Sequence, residues 1–207
     1  MCIRDRGGKC GLMPCDDTLR EWLHGRVEGE IEGVAADDDA VYCQTVEVDL
    51  DKLCPQVAKP HKVDNVSPIA EVEGTPVQHA IIGTCTNGRI EDLEVAARIL
   101  DGKKIAHGMT LTISPASKAV YIEAIHRGYV ETFLRAGATI AIPGCSGCSG
   151  GAYVGIPADG EAVITTANRN FKGRLGNANS FLYLASPATV AASALTGCIE
   201  DSRNYVR

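Results

Sequence analysis

The chain has 207 residues, a net charge of −6, 45% hydrophobic and 22% charged residues. That length suits one large domain, or one domain plus part of another, with the composition of a soluble globular protein. The negative balance gives no support to a nucleic-acid partner, and no apolar run approaches the roughly 18 residues of a membrane span. The N-terminus has no apolar signal-peptide core. Nine cysteines form an odd and irregularly spaced set, which argues against a disulfide framework and for reduced thiols in a cytoplasmic protein.

The opening Met1–Arg6 fits neither strand, amphipathic helix nor targeting signal, and is expected to be non-native, the native chain beginning upstream. Pro14 to Thr18 reads as a turn and helix start, after which Leu19, Trp22 and Leu23 share one helix face that should be buried. Glu28 to Asp39 is acidic and broken by glycine and alanine, a solvated loop. From Thr45 to Leu50 the residues alternate, with Val46, Val48 and Leu50 on one side, the pattern of a half-buried strand. Cys54 to Pro68 holds three prolines and no period, which predicts an extended connector, and a domain boundary is placed near Glu73–Pro76.

Beyond that point strands and helices alternate. Strands are expected at Val77–Gly83, Met109–Ile113, Thr139–Ile142 and Ala162–Thr166, with a further apolar segment at Phe181–Leu184. Helices are expected at Ile90–Leu100, Ser117–Arg127, Tyr129–Ala136 and Pro187–Gly197. This order predicts an α/β fold with a largely parallel sheet and helices on both faces, a three-layer α/β/α arrangement.

Two cysteine groups follow strands in this scheme. Cys85 lies in Gly83-Thr84-Cys85-Thr86-Asn87-Gly88-Arg89, and Cys145 and Cys148 lie in Pro143-Gly144-Cys145-Ser146-Gly147-Cys148. Ligands gather at the carboxyl ends of parallel strands, so thiols far apart in sequence can meet at one sheet edge. Three thiolates without an evident fourth point to an iron–sulfur cluster with one iron left open. Gly83, Gly88, Gly144, Gly147, Gly150 and Gly151 would let backbone approach sulfur closely, or simply make turns. Structural zinc would need a fourth ligand, and His79 and His107 lack ligand spacing. A redox dithiol at Cys145–Cys148 would want a helix to follow, where Ser149-Gly150-Gly151 stands instead. The remaining cysteines, Cys2, Cys10, Cys15, Cys43, Cys54 and Cys198, read as ordinary thiols. A second constellation, Asn168-Arg169-Asn170-Phe171-Lys172-Gly173-Arg174, also follows a strand. Arg169 and Arg174 are suited to hold a di- or tricarboxylic acid through paired N–H bonds.

These motifs, together with Ala158-Asp159-Gly160-Glu161 and Leu184-Ala185-Ser186-Pro187-Ala188-Thr189-Val190, resemble the aconitase superfamily, and within it the large subunits of 3-isopropylmalate dehydratases. The resemblance runs from Gly7 to the C-terminus. It implies a [4Fe–4S] cluster on Cys85, Cys145 and Cys148, and substrate contacts at Asn168, Arg169 and Arg174. It further implies dehydration and rehydration of a 2-hydroxy diacid such as 3-isopropylmalate, in leucine biosynthesis. Homoaconitase and dimethylmalate dehydratase are the nearest alternatives, and a non-catalytic iron–sulfur or zinc-binding module is an alternative of another class. The family's large subunit is about twice this long by that resemblance. Residues 1–74 would then be the remnant of a preceding α/β domain with its connector, and 75–207 a C-terminal α/β/α domain carrying the cysteines. The family's Asp-Ser-His-Thr motif has no counterpart here, and Asp5 falls where a family acid would stand. No catalytic residue is assigned within the chain. The resemblance implies a small subunit with a swivelling domain as partner, and a chain inactive by itself.

Overall fold

The computed structural model describes residues 10–29, 31–148 and 154–205. The expectations for Met1–Arg6, Gly7 and Ser149-Gly150-Gly151 lie outside those residues. The chain divides into two compact units between Leu53 and Cys54. The division falls before the expected boundary near Glu73–Pro76, because the β1–β2 segment is built into the sheet of the second unit.

That sheet has seven strands in the order β2-β1-β7-β6-β3-β4-β5. They are β1 (Gln56–Ala58), β2 (Val66–Pro68), β3 (His79–Ile82), β4 (Thr110–Ile113), β5 (Thr139–Ile140), β6 (Ala162–Thr165) and β7 (Phe181–Leu184). The run from β7 to β5 is parallel throughout. The expected connector is instead an antiparallel hairpin, β1 on β2, which joins the sheet through Ala58 opposite Leu184. Its prolines do not interrupt the ladder: Pro55 precedes β1, Pro60 lies in the turn and Pro68 ends β2, the positions where a missing N–H costs least.

Helices α2 (Ile90–Leu100), α3 (Lys118–His126), α4 (Tyr129–Ala136) and α5 (Pro187–Thr196) follow the predicted spans closely. Ser117 and Ser186 cap α3 and α5 by accepting from the Val120 and Thr189 amides, both at 3.2 Å. Alternate strand residues split between two faces. Ala80, Ile82, Leu111, Ile113 and Ile164 pack with Leu93, Leu100, Phe133, Val190 and Ala194 of the helices. Ile81, Val163 and Leu182 face the other way, under Leu175 and Val154. The mostly parallel sheet with its helices is the α/β fold that the sequence predicts, and among the described residues α2–α5 pack into one cluster on the first of these faces. The crossovers explain that placement. From β3 through β4 to β5 the chain steps one way across the sheet, and from β6 to β7 it steps the other. Right-handed connections then put the β6–β7 segment on the opposite face, and that segment is rich in glycine and asparagine rather than helix formers.

In the other unit, α1 (Asp17–Leu23) starts where predicted, with Asp16 accepting from the Leu19 amide at 2.8 Å. Its apolar face is not buried: Leu19 and Trp22 are exposed, and Arg26 stacks over the Trp22 ring at 4.5 Å. The predicted strand at 45–50 does not form. Alternation marks a face, but a strand also needs a neighbour for its N–H and C=O groups, and among the described residues none pairs with this segment. Among the described residues, no helix is long and apolar enough to cross a membrane.

Candidate functional site

Strand order reverses between β3 and β6, so their carboxyl ends flank the crevice where an open α/β sheet binds ligands. The loop 83–89 leaves β3 there and the loop 166–174 leaves β6, and hydrogen bonds lace the two together. The Gly83 amide donates to Thr166 Oγ1 at 2.8 Å, and Asn87 Nδ2 donates to the Thr166 carbonyl at 2.6 Å. Asn168 Nδ2 donates to Thr86 Oγ1 at 3.0 Å. Thr84 is fully buried, and its Oγ1 accepts from the Thr86 and Asn87 amides at 3.3 and 3.4 Å. The turn shaped this way lifts Cys85 into the exposed part of the loop.

A third segment, with no cysteine, joins the two cysteine loops. After β4, the chain runs through Ser114-Pro115-Ala116. Ala116 N–H donates to the Gly88 carbonyl at 2.8 Å on one side, and Gly144 N–H donates to the Pro115 carbonyl at 2.9 Å on the other. Ser114 Oγ also reaches the Ile142 carbonyl at 3.3 Å. This contact explains two glycines. A Cβ on Gly83, whose φ is +99°, would lie 1.9 Å from the Ser114 carbonyl oxygen, and one on Gly88 would lie 2.4 Å from it. At both positions the close approach is to backbone. Gly144 has open space around it and is required by its φ of +128° instead. The wedge had one sequence signal, small residues directly after the Met109–Ile113 strand, which sequence reasoning passed over.

The Cys148 and Cys85 thiols lie close enough to Cys145 to act on it. Partial desolvation, and then the neighbouring Cys148 and Cys85 thiols, push the Cys145 thiol above its ordinary range. Cys145 stands in an exposed loop, so the nearness of the other two sulfurs is the informative part. A tight turn, with Cys148 N–H on the Cys145 carbonyl at 2.8 Å and Ser146 at φ +37°, presents the pair. Among the described residues, no three His, Cys, Asp or Glu side chains close around a single metal ion. A cluster asks for a wider spread, since each thiolate takes a different iron.

Asn168 and Arg169 are half-buried at the end of β6, and the Asn168 Oδ1 is buried without a hydrogen-bond partner. Arg174 donates through Nη2 to the Cys148 carbonyl, and its guanidinium lies 5.3 Å over the Phe171 ring. Its Nε is buried and unmet. Asn170 is structural: fully buried, it donates to the Lys59, Lys62 and Leu182 carbonyls at 2.8, 3.3 and 3.4 Å, tying the β1–β2 hairpin to the loop. His79 is far from this edge in the fold. It sits at the first residue of β3, where its ring nitrogens meet Thr110 Oγ1 at 2.6 Å and Glu161 Oε2 at 2.8 Å.

Comparison with known proteins bears on the same region. The aconitase family (aconitate hydratase) matches residues 70–197. The chain is 50% identical over 202 residues to a protein of Archaeoglobus fulgidus named 3-isopropylmalate dehydratase large subunit 2, which covers 97% of this chain and 48% of that protein. It is 50% identical over 199 residues to the probable methanogen homoaconitase large subunit of Methanosarcina mazei, covering 96% of this chain and 50% of that one. Against 3-isopropylmalate dehydratase large subunit 1 of Thermotoga maritima the identity is 46% over 204 residues, covering 97% and 48%. The chain thus spans about half the length of the curated relatives it matches.

Proposed function

The chain belongs to the aconitase family, and on that premise we propose that it forms part of the large subunit of a cytoplasmic hydro-lyase. Its substrate is a 2-hydroxy di- or tricarboxylic acid, with 3-isopropylmalate of leucine biosynthesis as the primary reading. Homoaconitase chemistry is the second reading, supported by the equal 50% identity to the Methanosarcina protein of that name. What supports the proposal is the nearness of the Cys148 and Cys85 thiols to Cys145, beside a loop in which Asn168 Oδ1, Asn170 Oδ1 and Arg174 Nε are buried and unmet.

Three soft thiolate donors from two strand-end loops fit a [4Fe–4S] cluster with an open iron. Such a cluster, when bound, supplies a Lewis acid that makes hydroxide a better leaving group. The chain's own residues do the holding. Arg169 grips a carboxylate through its planar fork. Arg174 keeps Nη2 on the Cys148 carbonyl while its unmet Nε offers a donor to a second carboxylate. Asn168, pinned by Thr86, presents its unmet Oδ1 to a hydroxyl. Held at several points, the substrate has its reacting bonds aligned. The base that removes the carbon-bound proton comes from outside this chain, as does a small subunit completing the site.

Anaerobic reconstitution tests this reading. The protein should gain iron, sulfide and a broad brown absorbance near roughly 400 nm. Cys145→Ser should abolish the loading and Cys43→Ser should not. Equal iron per chain in the two variants, or a colourless zinc-loaded protein, would overturn the assignment.

A further inference from the structure

We propose that Arg174 is a positioning residue for the cysteine loop, latching the Cys148 backbone and so coupling the loop after β6 to the loop after β5. The idea deepens the reading above and rests on it for its functional meaning. Arg174 has a dual contact. Its Nη2 donates to the Cys148 carbonyl, while its guanidinium rests on Phe171, in its own loop. Its backbone is fixed from both sides. Arg174 N–H donates to the Phe171 carbonyl at 3.0 Å, and Gly176 N–H donates to the Gly173 carbonyl at 3.0 Å. The next residue, Leu175, is buried against Ile81, Val163 and Leu182 beneath the sheet. The anchor is therefore tied into the sheet, and the Cys148 backbone is held to it through this contact. Among the contacts that hold the Cys145–Cys148 turn are its internal bond from Cys148 N–H to the Cys145 carbonyl, the Pro115 contact at Gly144, and this guanidinium. A planar fork can hold a backbone carbonyl with one N–H while another faces a ligand. A carboxylate drawn to the Nε edge would thus be felt at Cys148 through one rigid group.

The test reads Cys148 in the metal-free chain, so it does not depend on whether a cluster loads. Iodoacetamide labelling, followed peptide by peptide, gives the Cys148 rate relative to the exposed Cys43 of the same molecule. Arg174→Met should raise that ratio on the order of tenfold, the change in local opening when one charge-assisted hydrogen bond is lost, with the Cys85 ratio unmoved. Arg174→Lys retains one reaching donor and should restore most of the protection. Lys172→Met, at an exposed cation of the same loop, should leave the ratio at the wild-type value. Should methionine prevent folding, Lys against Gln decides: the longer lysine protects Cys148 and the shorter glutamine does not. An unchanged Cys148 ratio in Arg174→Met, or Cys85 rising in step with Cys148, overturns the latch. A further readout is iron retained per chain after anaerobic reconstitution, which should fall from wild type through Lys to Met. If the wild type takes up no iron while the labelling pattern holds, the cluster reading fails and the latch stands.

Discussion

The strand Ala162–Thr165 and the segment 45–50 are both rich in apolar residues, yet they end in opposite environments. Every residue of the strand is buried, whereas Val46, Val48 and Leu50 are 72%, 58% and 74% exposed. The segment has the cleaner alternation. The strand has none, because it is central in a parallel sheet and covered on both faces. The same contrast holds across the two units. From Val57 onward the core contains fully buried side chains such as Ile82, Leu93 and Phe133, while no described residue between 10 and 53 is a buried hydrophobic. Sequence pattern proposes a face; a partner element with hydrogen bonds and packing atoms realises it.

Core truncation should break the comparison most sharply. Phe133→Ala removes a fully buried ring that packs in the helical layer, and should cost about 3–5 kcal/mol. Val41→Ala, at a position 96% exposed, should cost less than about 0.5 kcal/mol. Urea denaturation midpoints of the two variants measure the gap. Comparable losses would mean that the first unit is packed in solution in a way these exposures do not reflect.

Glycine substitutions test the same division at the backbone level. Gly83 and Gly25 both have positive φ, +99° and +71°. Nothing lies within 4 Å of a Cβ on Gly25, whereas one on Gly83 would meet the Ser114 carbonyl. Gly25→Ala should cost only the left-handed conformation, about 1–2 kcal/mol locally. Gly83→Ala adds overpacking against backbone that is itself bonded to Ile82, for a total of about 3 kcal/mol. Circular dichroism melts would rank them, and the Gly83 variant should also bring Cys85 out of register with Cys145.

Much of the sheet unit was legible in sequence, for a physical reason: its apolar runs are punctuated by serine caps and glycine stops, and each is long enough to fill an element. Tyr129–Ala136 and Phe181–Leu184 match the predicted bounds. The β1–β2 hairpin was hidden because prolines suppress strand signals even where they stand outside the ladder. That both cysteine loops leave the carboxyl ends of parallel strands could be read from strand order. The wedge Ser114–Ala116 showed only as small residues after a strand, since its bonds run through carbonyl and amide groups common to every residue. For the same reason Arg174 could be read as a charge but not as a donor to the Cys148 backbone. The face of α1 was misread because Leu19, Trp22 and Leu23 fix which side is apolar, not what covers it.

Helix caps sharpen the comparison on a smaller scale. Ser186 accepts from the Thr189 amide at the start of α5, a helix whose Val190, Ala191 and Ala194 are buried. Ser186→Ala should lower global stability by about 1 kcal/mol. Asp16 makes the same kind of bond to Leu19, but α1 has no buried residue. Asp16→Ala should fray α1, visible as faster amide exchange there, and leave the global unfolding midpoint in place.

The smallest expected effect is electrostatic and sits at the amino-terminal edge of the sheet. The His79 ring, held by Thr110 of β4, bonds Glu161 just before β6, and Glu161 also accepts from the Ala158 amide at 2.6 Å. The His79 bond first, and the Ala158 amide second, hold the Glu161 carboxyl below its ordinary 4.5. A carboxylate depressed by folding contributes stability that is fully present above its unfolded pKa and lost as pH falls through its folded one. The contribution should therefore be intact at neutral pH and disappear on the acid side of 4.5. With both side chains partly exposed, at 24% and 33%, screening limits it to less than about 1 kcal/mol. Glu161→Gln should flatten the acid limb of a stability-versus-pH curve by that amount. An acid limb identical to the wild type would mean that the edge is held by the β3–β6 ladder alone and that the His79–Glu161 contact adds nothing to it.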